Sequence, residues 1–187
     1  IALPDGGVLQ GATTIPGDFA LLGGPSGGFC TVAPSATFDV RWTRSSGAWA
    51  YVNEALISGL RAALEPEGII VDEDPLFLLG LSISASDTTI AFPSEFGVFD
   101  RFDLGQALAQ VLQRGLPAGT SAKVTVTAGE RNYVNWARGG NFNPSGQVKV
   151  PSLRGNGTGV FGATVSRSFQ VVSLRGGVDG GAACGGP

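Results

Sequence analysis

The sequence predicts a β-rich α+β domain, an antiparallel sheet or sandwich carrying two amphipathic helices, with an extended arm in front of it. Three observations predict this class. Short runs such as Phe38, Val40 and Trp42 alternate with polar residues, the period of a half-buried strand. Two longer segments place apolar residues three and four apart, the period of a helix facing a core. Between them turn residues are dense: 30 glycines and 11 prolines in 187 residues, with no collagen-like repeat. Hydrophobic residues at 43% and charged residues at 14% are too apolar a balance for a disordered chain.

Residues 1–22 form the arm. Ile1, Leu3, Leu9, Ile15, Phe19 and Leu21 fall on odd positions, and the even positions are mostly small or polar, so an extended chain here has one apolar edge. Gly7, Gly11 and Gly17 share that edge and suit constrictions in a groove. Residues 23–28 read as a hinge, with Gly23, Gly24, Gly27 and Gly28 around Pro25 and Ser26. Residues 29–175 read as one globular body and 176–187 as a glycine-rich tail.

Within the body, residues 37–42 predict a strand. Trp49, Val52, Leu56, Leu60, Ala63 and Leu64 then recur at helical spacing, capped by Ser45 or Ser46 and ended by Pro66 and Gly68. Strands are expected at 69–71, 76–84, 88–92 and 96–102. Leu104, Leu108, Val111 and Leu112 predict a second helix over 104–114, with Asp103 as cap, Gln106 in capping-box position, and Gly115 and Pro117 as its stop. Strands at 123–128, 132–136, 147–150, 159–164 and 168–174 complete the chain. The order from 37 to 128 suggests a split β-α-β unit, and a sandwich with two helical insertions is the alternative.

Charge and cysteine usage narrow the function classes. Twelve basic residues are scattered through a chain of net charge -3, so the concentrated footprint of a nucleic-acid binder is missing. The longest apolar run, around residues 76–81, is too short to span a bilayer. There is no Met, and Ile1 reads as the residue left after removal of a leader, which places the protein outside the cell or at its surface. Cys30 and Cys184 are the two cysteines, and in an exported chain they are expected to pair, tying the start of the body to its end. Closing so long a loop stabilises by roughly 4 to 5 kcal/mol on the chain-entropy account.

Histidine is absent, which removes the usual general base, the Ser-His and Cys-His pairs and the commonest transition-metal ligand. Paired carboxylates are the remaining route to hydrolysis, with Asp87, Glu95, Asp100 and Asp103 available in the sequence. Asp72, Glu73 and Asp74 offer hard oxygen ligands for Ca²⁺ but lack the alternate spacing of a calcium loop, and read better as a solvated turn. The run from Arg154 to Gly159 lacks the Lys-Ser/Thr ending of a phosphate loop and reads as a hairpin turn, within which Asn156 heads a glycosylation sequon. Tyr133 and Trp136, beside an Asn/Gly-rich stretch, are candidate sugar contacts, whereas Trp42 and Trp49 read as core. No cofactor is implied.

The arm is the feature that carries function. Twenty-two extended residues reach up to roughly 70 Å, across a whole neighbouring body whose radius of gyration is about 16 Å. Strand addition to the next molecule, head to tail, generates a filament, with Ile1, Leu3, Leu9, Ile15, Phe19 and Leu21 buried in the neighbour. In organisation residues 1–28 and the β-rich, cysteine-paired remainder resemble the donor-strand-assembled subunits of bacterial extracellular fibres and pili. That resemblance implies a structural subunit whose partner is itself, and no enzyme. A secreted carbohydrate-binding or adhesion module with an intramolecular arm is the first alternative, and a secreted carboxylate-dependent glycan hydrolase the second.

Overall fold

The computed structural model describes residues 4, 6–23, 28–82, 84–97, 104–138, 150–174 and 182–185. It is a β-rich α+β fold, and its strands and helices follow in chain order. The arm contributes β1 (Leu9–Gln10) and β2 (Leu21–Leu22), followed by β3 (Phe29–Val32), β4 (Phe38–Trp42) and β5 (Ala50–Ser58). Helix α1 (Leu60–Leu64) runs into a 3₁₀ turn (Glu65–Glu67), then come β6 (Leu76–Leu81), β7 (Thr89–Phe92), α2 (Gln106–Arg114) and β8 (Ser121–Gly129). The chain continues through α3 (Arg131–Arg138), β9 (Arg154–Gly155), β10 (Thr164–Ser173) and β11 (Ala182–Ala183).

Among the described residues these strands form three sheets: six strands in the order β11-β3-β10-β8-β5-β6, three in the order β2-β4-β7, and the pair β1-β9. The larger sheet is antiparallel except at one side, where β3 lies parallel to both β10 and β11. Its inner face carries Tyr51, Ala55 and Ile57 from β5, Val124 and Val126 from β8, and Phe169 and Val171 from β10. Against that face pack Trp42 and Val40 of β4, Ile90 and Phe92 of β7, and Leu60, Leu64, Leu108 and Leu112 of the first two helices, as one core. β4, β6, β7 and β8 lie where strands are expected.

Three elements differ from expectation. The helix predicted from Trp49 is β5 for most of its length, and helix begins only at Leu60. Ala50, Tyr51, Val52 and Asn53 are all buried, because β5 lies between β8 and β6 and α3 covers part of its outer face. A strand buried on both faces loses its period of two, and chance spacings of three and four then mimic a helix. Ser45 is no helix cap: its N–H donates to the Tyr51 hydroxyl at 2.7 Å. The cap comes from far along the chain, where the Asp74 carboxylate accepts the Gly59 and Arg61 N–H groups at 2.9 Å each.

The strand predicted at 132–136 is helix α3. Its first amides are held by the buried Glu130 carboxylate, which accepts from Asn132 at 2.9 Å and Tyr133 at 2.8 Å. An acid seated before the first turn is a helix start signal, and it outweighs the strand propensity of Tyr133, Val134 and Trp136. Residues 69–71 are irregular, with Ile70 79% exposed. Residues 159–163 lead into β10, which starts at Thr164. Helix α2 lies where expected but begins at Gln106, behind Gly105 and without a side-chain cap. Asp103, most of the strand expected at 96–102, and residues 147–149 lie outside the described residues. The split β-α-β reading does not hold, since β5 and β6 are antiparallel neighbours joined by α1.

The disulfide is present. Cys30 in β3 is joined to Cys184, with a Cα–Cα distance of 5.0 Å, and the bond spans 154 residues. The Cys184 N–H donates to Thr31 O at 2.9 Å, so the end of the chain adds to the sheet as well as to the sulfur.

Candidate functional site

The arm and the surface beneath it are the candidate site. Its distal part lies on a lobe made by α3 and residues 150–163. Leu9 and Gln10 pair antiparallel with Gly155 and Arg154. Val8 and Asn156 exchange bonds there, Val8 N–H to Asn156 Oδ1 at 3.3 Å and Asn156 N–H to Val8 O at 3.2 Å. Gly155, at φ 120°, is required by this approach, since a Cβ would collide with the Val8 carbonyl. Asn132 Nδ2 donates to both Ala12 O at 2.8 Å and Phe161 O at 3.0 Å, clamping arm and lobe together. A cleft of about 670 Å³ opens beside this clamp, lined by Gln10, Ala12, Asn132, Ser152 and Arg154.

The proximal part enters the core. The Gly17 N–H donates to Ser46 O at 2.7 Å, and the Ser45 hydroxyl donates to Gly17 O at 2.5 Å. A Cβ on Gly17 would strike the Ser46 hydroxyl, and one on Gly11 would meet Leu153, so both glycines do sit at constrictions. Asp18 is ion-paired with Arg167 across the groove. Phe19, 5% exposed, sets its ring edge-on to Tyr51 at 5.9 Å. Leu21 opposite Trp42 then adds β2 to β4.

The six arm positions expected on one face therefore separate. Phe19 and Leu21 lie in the core of their own chain, where the expectation put them in a neighbour. Leu9 is half-buried, and Ile15 is 73% exposed. At this point Pro16 is buried in place of Ile15, a local interruption after which odd positions turn inward again at Phe19 and Leu21. Ile1 and Leu3, with Gly24 and Gly27 of the hinge, lie outside the described residues. Gly23 and Gly28 flank that stretch.

The remaining candidates are dispersed. Tyr133 and Trp136 lie on α3, one turn apart and half-buried, and neither lines the cleft. The Tyr133 ring rests against Gly129, where an added Cβ would come within 2.7 Å of it. Burial first, and the Glu54 carboxylate second, hold its hydroxyl protonated above the usual 10.0 of tyrosine. Asn156 is exposed on its loop. Asp72 and Glu73 are exposed, while Asp74 is occupied with the α1 amides. Among the described residues no three His, Cys, Asp or Glu side chains converge as a metal site.

Several carboxylates have structural tasks. Besides Asp74, Glu130 and Asp18, Asp87 accepts from Ser84 N–H at 3.1 Å and Glu95 from Ala91 N–H at 2.7 Å. Sequence reasoning missed Ser45, Asn132, Glu130 and Arg167. Glu130 was readable as a helix start, but the 149-residue separation of Asp18 and Arg167 leaves no local trace. The chain matches no protein-family model, no curated protein and no solved structure.

Proposed function

We propose that this chain is a structural subunit of an extracellular filament, joined to its neighbour by exchange of the arm. One observation carries the reading: Phe19 and Leu21 fill a groove between β4 and β5 of a body whose covalent clasp, Cys30–Cys184, lies entirely after the hinge. A segment that docks in its own body docks equally well in an identical one, provided the connection is long enough to let it leave. Residues 23–28 supply that connection. Exchange in one direction is head-to-tail and does not close, so it yields a chain of subunits, an organisation resembling donor-strand-assembled fibres. The long-range disulfide accords with an oxidising, extracellular setting.

The docked arm of the single chain also favours a second reading, a monomeric secreted adhesion or carbohydrate-binding module with the arm as an ordinary strand. The hydrolase gains no support, because Asp18, Asp74, Asp87, Glu95 and Glu130 are engaged with amides or arginine, and Asp72 and Glu73 lie exposed on a turn. One experiment separates the first two. Ala20 and Thr43 extend the β2–β4 ladder by one pair, with Thr43 N–H donating to Ala20 O at 2.8 Å. Hydrogen-bonded antiparallel partners have Cα atoms about 5.5 Å apart, within disulfide reach. Ala20→Cys with Thr43→Cys, oxidised after concentration and run on a non-reducing gel, gives a covalent ladder if arms are exchanged. A single monomer band, at every concentration, sinks the filament.

A further inference from the structure

We infer that the two ends of the body are complementary docking surfaces, and that the partner of each is the opposite end of a second copy of this chain. The inference deepens the filament reading and rests on it. Strand register fixes which residues lie at which end. Ala50 of β5, Gly129 of β8 and Thr164 of β10 mark one end, and Ser58, Ser121 and Val172 mark the other. Nine residues of strand separate them by roughly 30 Å.

The first end is basic with an apolar centre. Arg44 precedes β5, Arg131 follows β8, and Arg154 lies on the lobe clamped to the arm; all three are exposed. Trp49, half-exposed, holds the Arg131 guanidinium 5.3 Å above its ring. Ile15 stands out between the Asn132 and Ser46 anchors of the arm. The acids described at this end are committed: Asp18 to Arg167, Glu130 to the α3 amides, and Asp87, in the loop after β6, to the Ser84 N–H.

The second end has the opposite sign. Glu67 follows α1, and Asp72 and Glu73 precede β6, all exposed; Arg61 is held by Glu65 and by the Val71 and Asp72 carbonyls, and the exposed Arg114 shares a cleft with Glu67, which leaves Asp72 and Glu73 as the excess charge. Among these acids Ile70 is the most exposed large apolar side chain described. An apolar knob in an acidic rim faces, across a head-to-tail contact, a Trp and Ile centre in a basic rim. Buried apolar anchors with charged surrounds are the usual anatomy of a specific interface.

Net charge -3 opposes self-association, so the magnitudes must be weighed. At physiological salt the screening length is about 8 Å, far less than the distance between ends. Each contact therefore responds to its own two patches, and local complementarity outweighs the overall repulsion.

Charge reversal tests this with the full-length chain. Arg44→Glu with Arg131→Glu reverses one end, and Glu67→Arg with Glu73→Arg reverses the other. Each variant alone is expected to need about tenfold more protein to form filaments by negative-stain imaging, consistent with a few rim charges. A 1:1 mixture restores assembly, because unlike ends then meet in alternation. Thermal melting verifies folding, and Arg44→Glu with Arg154→Glu reads the same end should Arg131→Glu unfold the chain. Filaments indifferent to both reversals overturn the end-to-end contact and leave arm exchange standing. Mutants impaired alone but not restored by mixing also overturn it. Wild-type protein that never self-associates overturns both.

Discussion

Phe19→Ala measures directly whether the arm belongs to the core. The side chain is 5% exposed and packs edge-to-face on Tyr51, with the Arg167 guanidinium 6.0 Å from its ring. Truncating a buried Phe removes transfer free energy and leaves a cavity, together about 3 to 5 kcal/mol, and the ring pair adds to the upper part of that range. For a chain of this size the loss corresponds to a Tm lowered by roughly 8 to 16 °C. Ile15→Ala is the internal control. At 73% exposure it belongs with surface substitutions that change stability by about 0.5 kcal/mol or less. Both are read by urea and thermal unfolding followed by circular dichroism, at dilutions where sedimentation shows monomer. Equal losses for the two variants, or a larger one for Ile15→Ala, would refute the placement of Phe19 in the core and of Ile15 at the surface.

Two further outcomes follow from the same geometry. Reducing Cys30–Cys184 frees a loop of 154 residues and is expected to cost about 5 kcal/mol on chain entropy, visible as a large drop in Tm with added thiol reductant; a shift under about 2 °C contradicts it. Tyr133, whose folded pKa lies above its ordinary 10.0, favours the folded state in its neutral form. That stability is complete below pH 10 and is lost as pH rises through the folded pKa. Tyr133→Phe should therefore flatten the alkaline decline in Tm, and an unchanged decline assigns it to other groups.

Some of this was readable from the residues. Strands β4, β7 and β8 announce themselves by alternation, α2 by its Leu104, Leu108 and Leu112 stripe, and the cysteine pair by its isolation. What failed did so for two physical reasons. Burial on both faces erased the period of β5, so tertiary position overrode local pattern. Remote capping by Asp74 sets the start of α1 through contacts that no short window displays, whereas the Glu130 seat under α3 was a local signal outweighed by the strand expectation. The arm was legible as an apolar edge, but not its destination, because Pro16 divides it into a core half and a surface half.

The parallel placement of β3 has a mechanical consequence. Tension applied at Phe29 runs along the strand axis into a ladder that β10 continues on one side and β11 on the other. Its hydrogen bonds are then loaded together in shear instead of being opened one after another. Beyond them the next element in the load path is covalent, since Cys30 is the second residue of β3 and is bonded to the chain's other end. Pulling at this point stretches a cross-linked strand long before it can unravel the body.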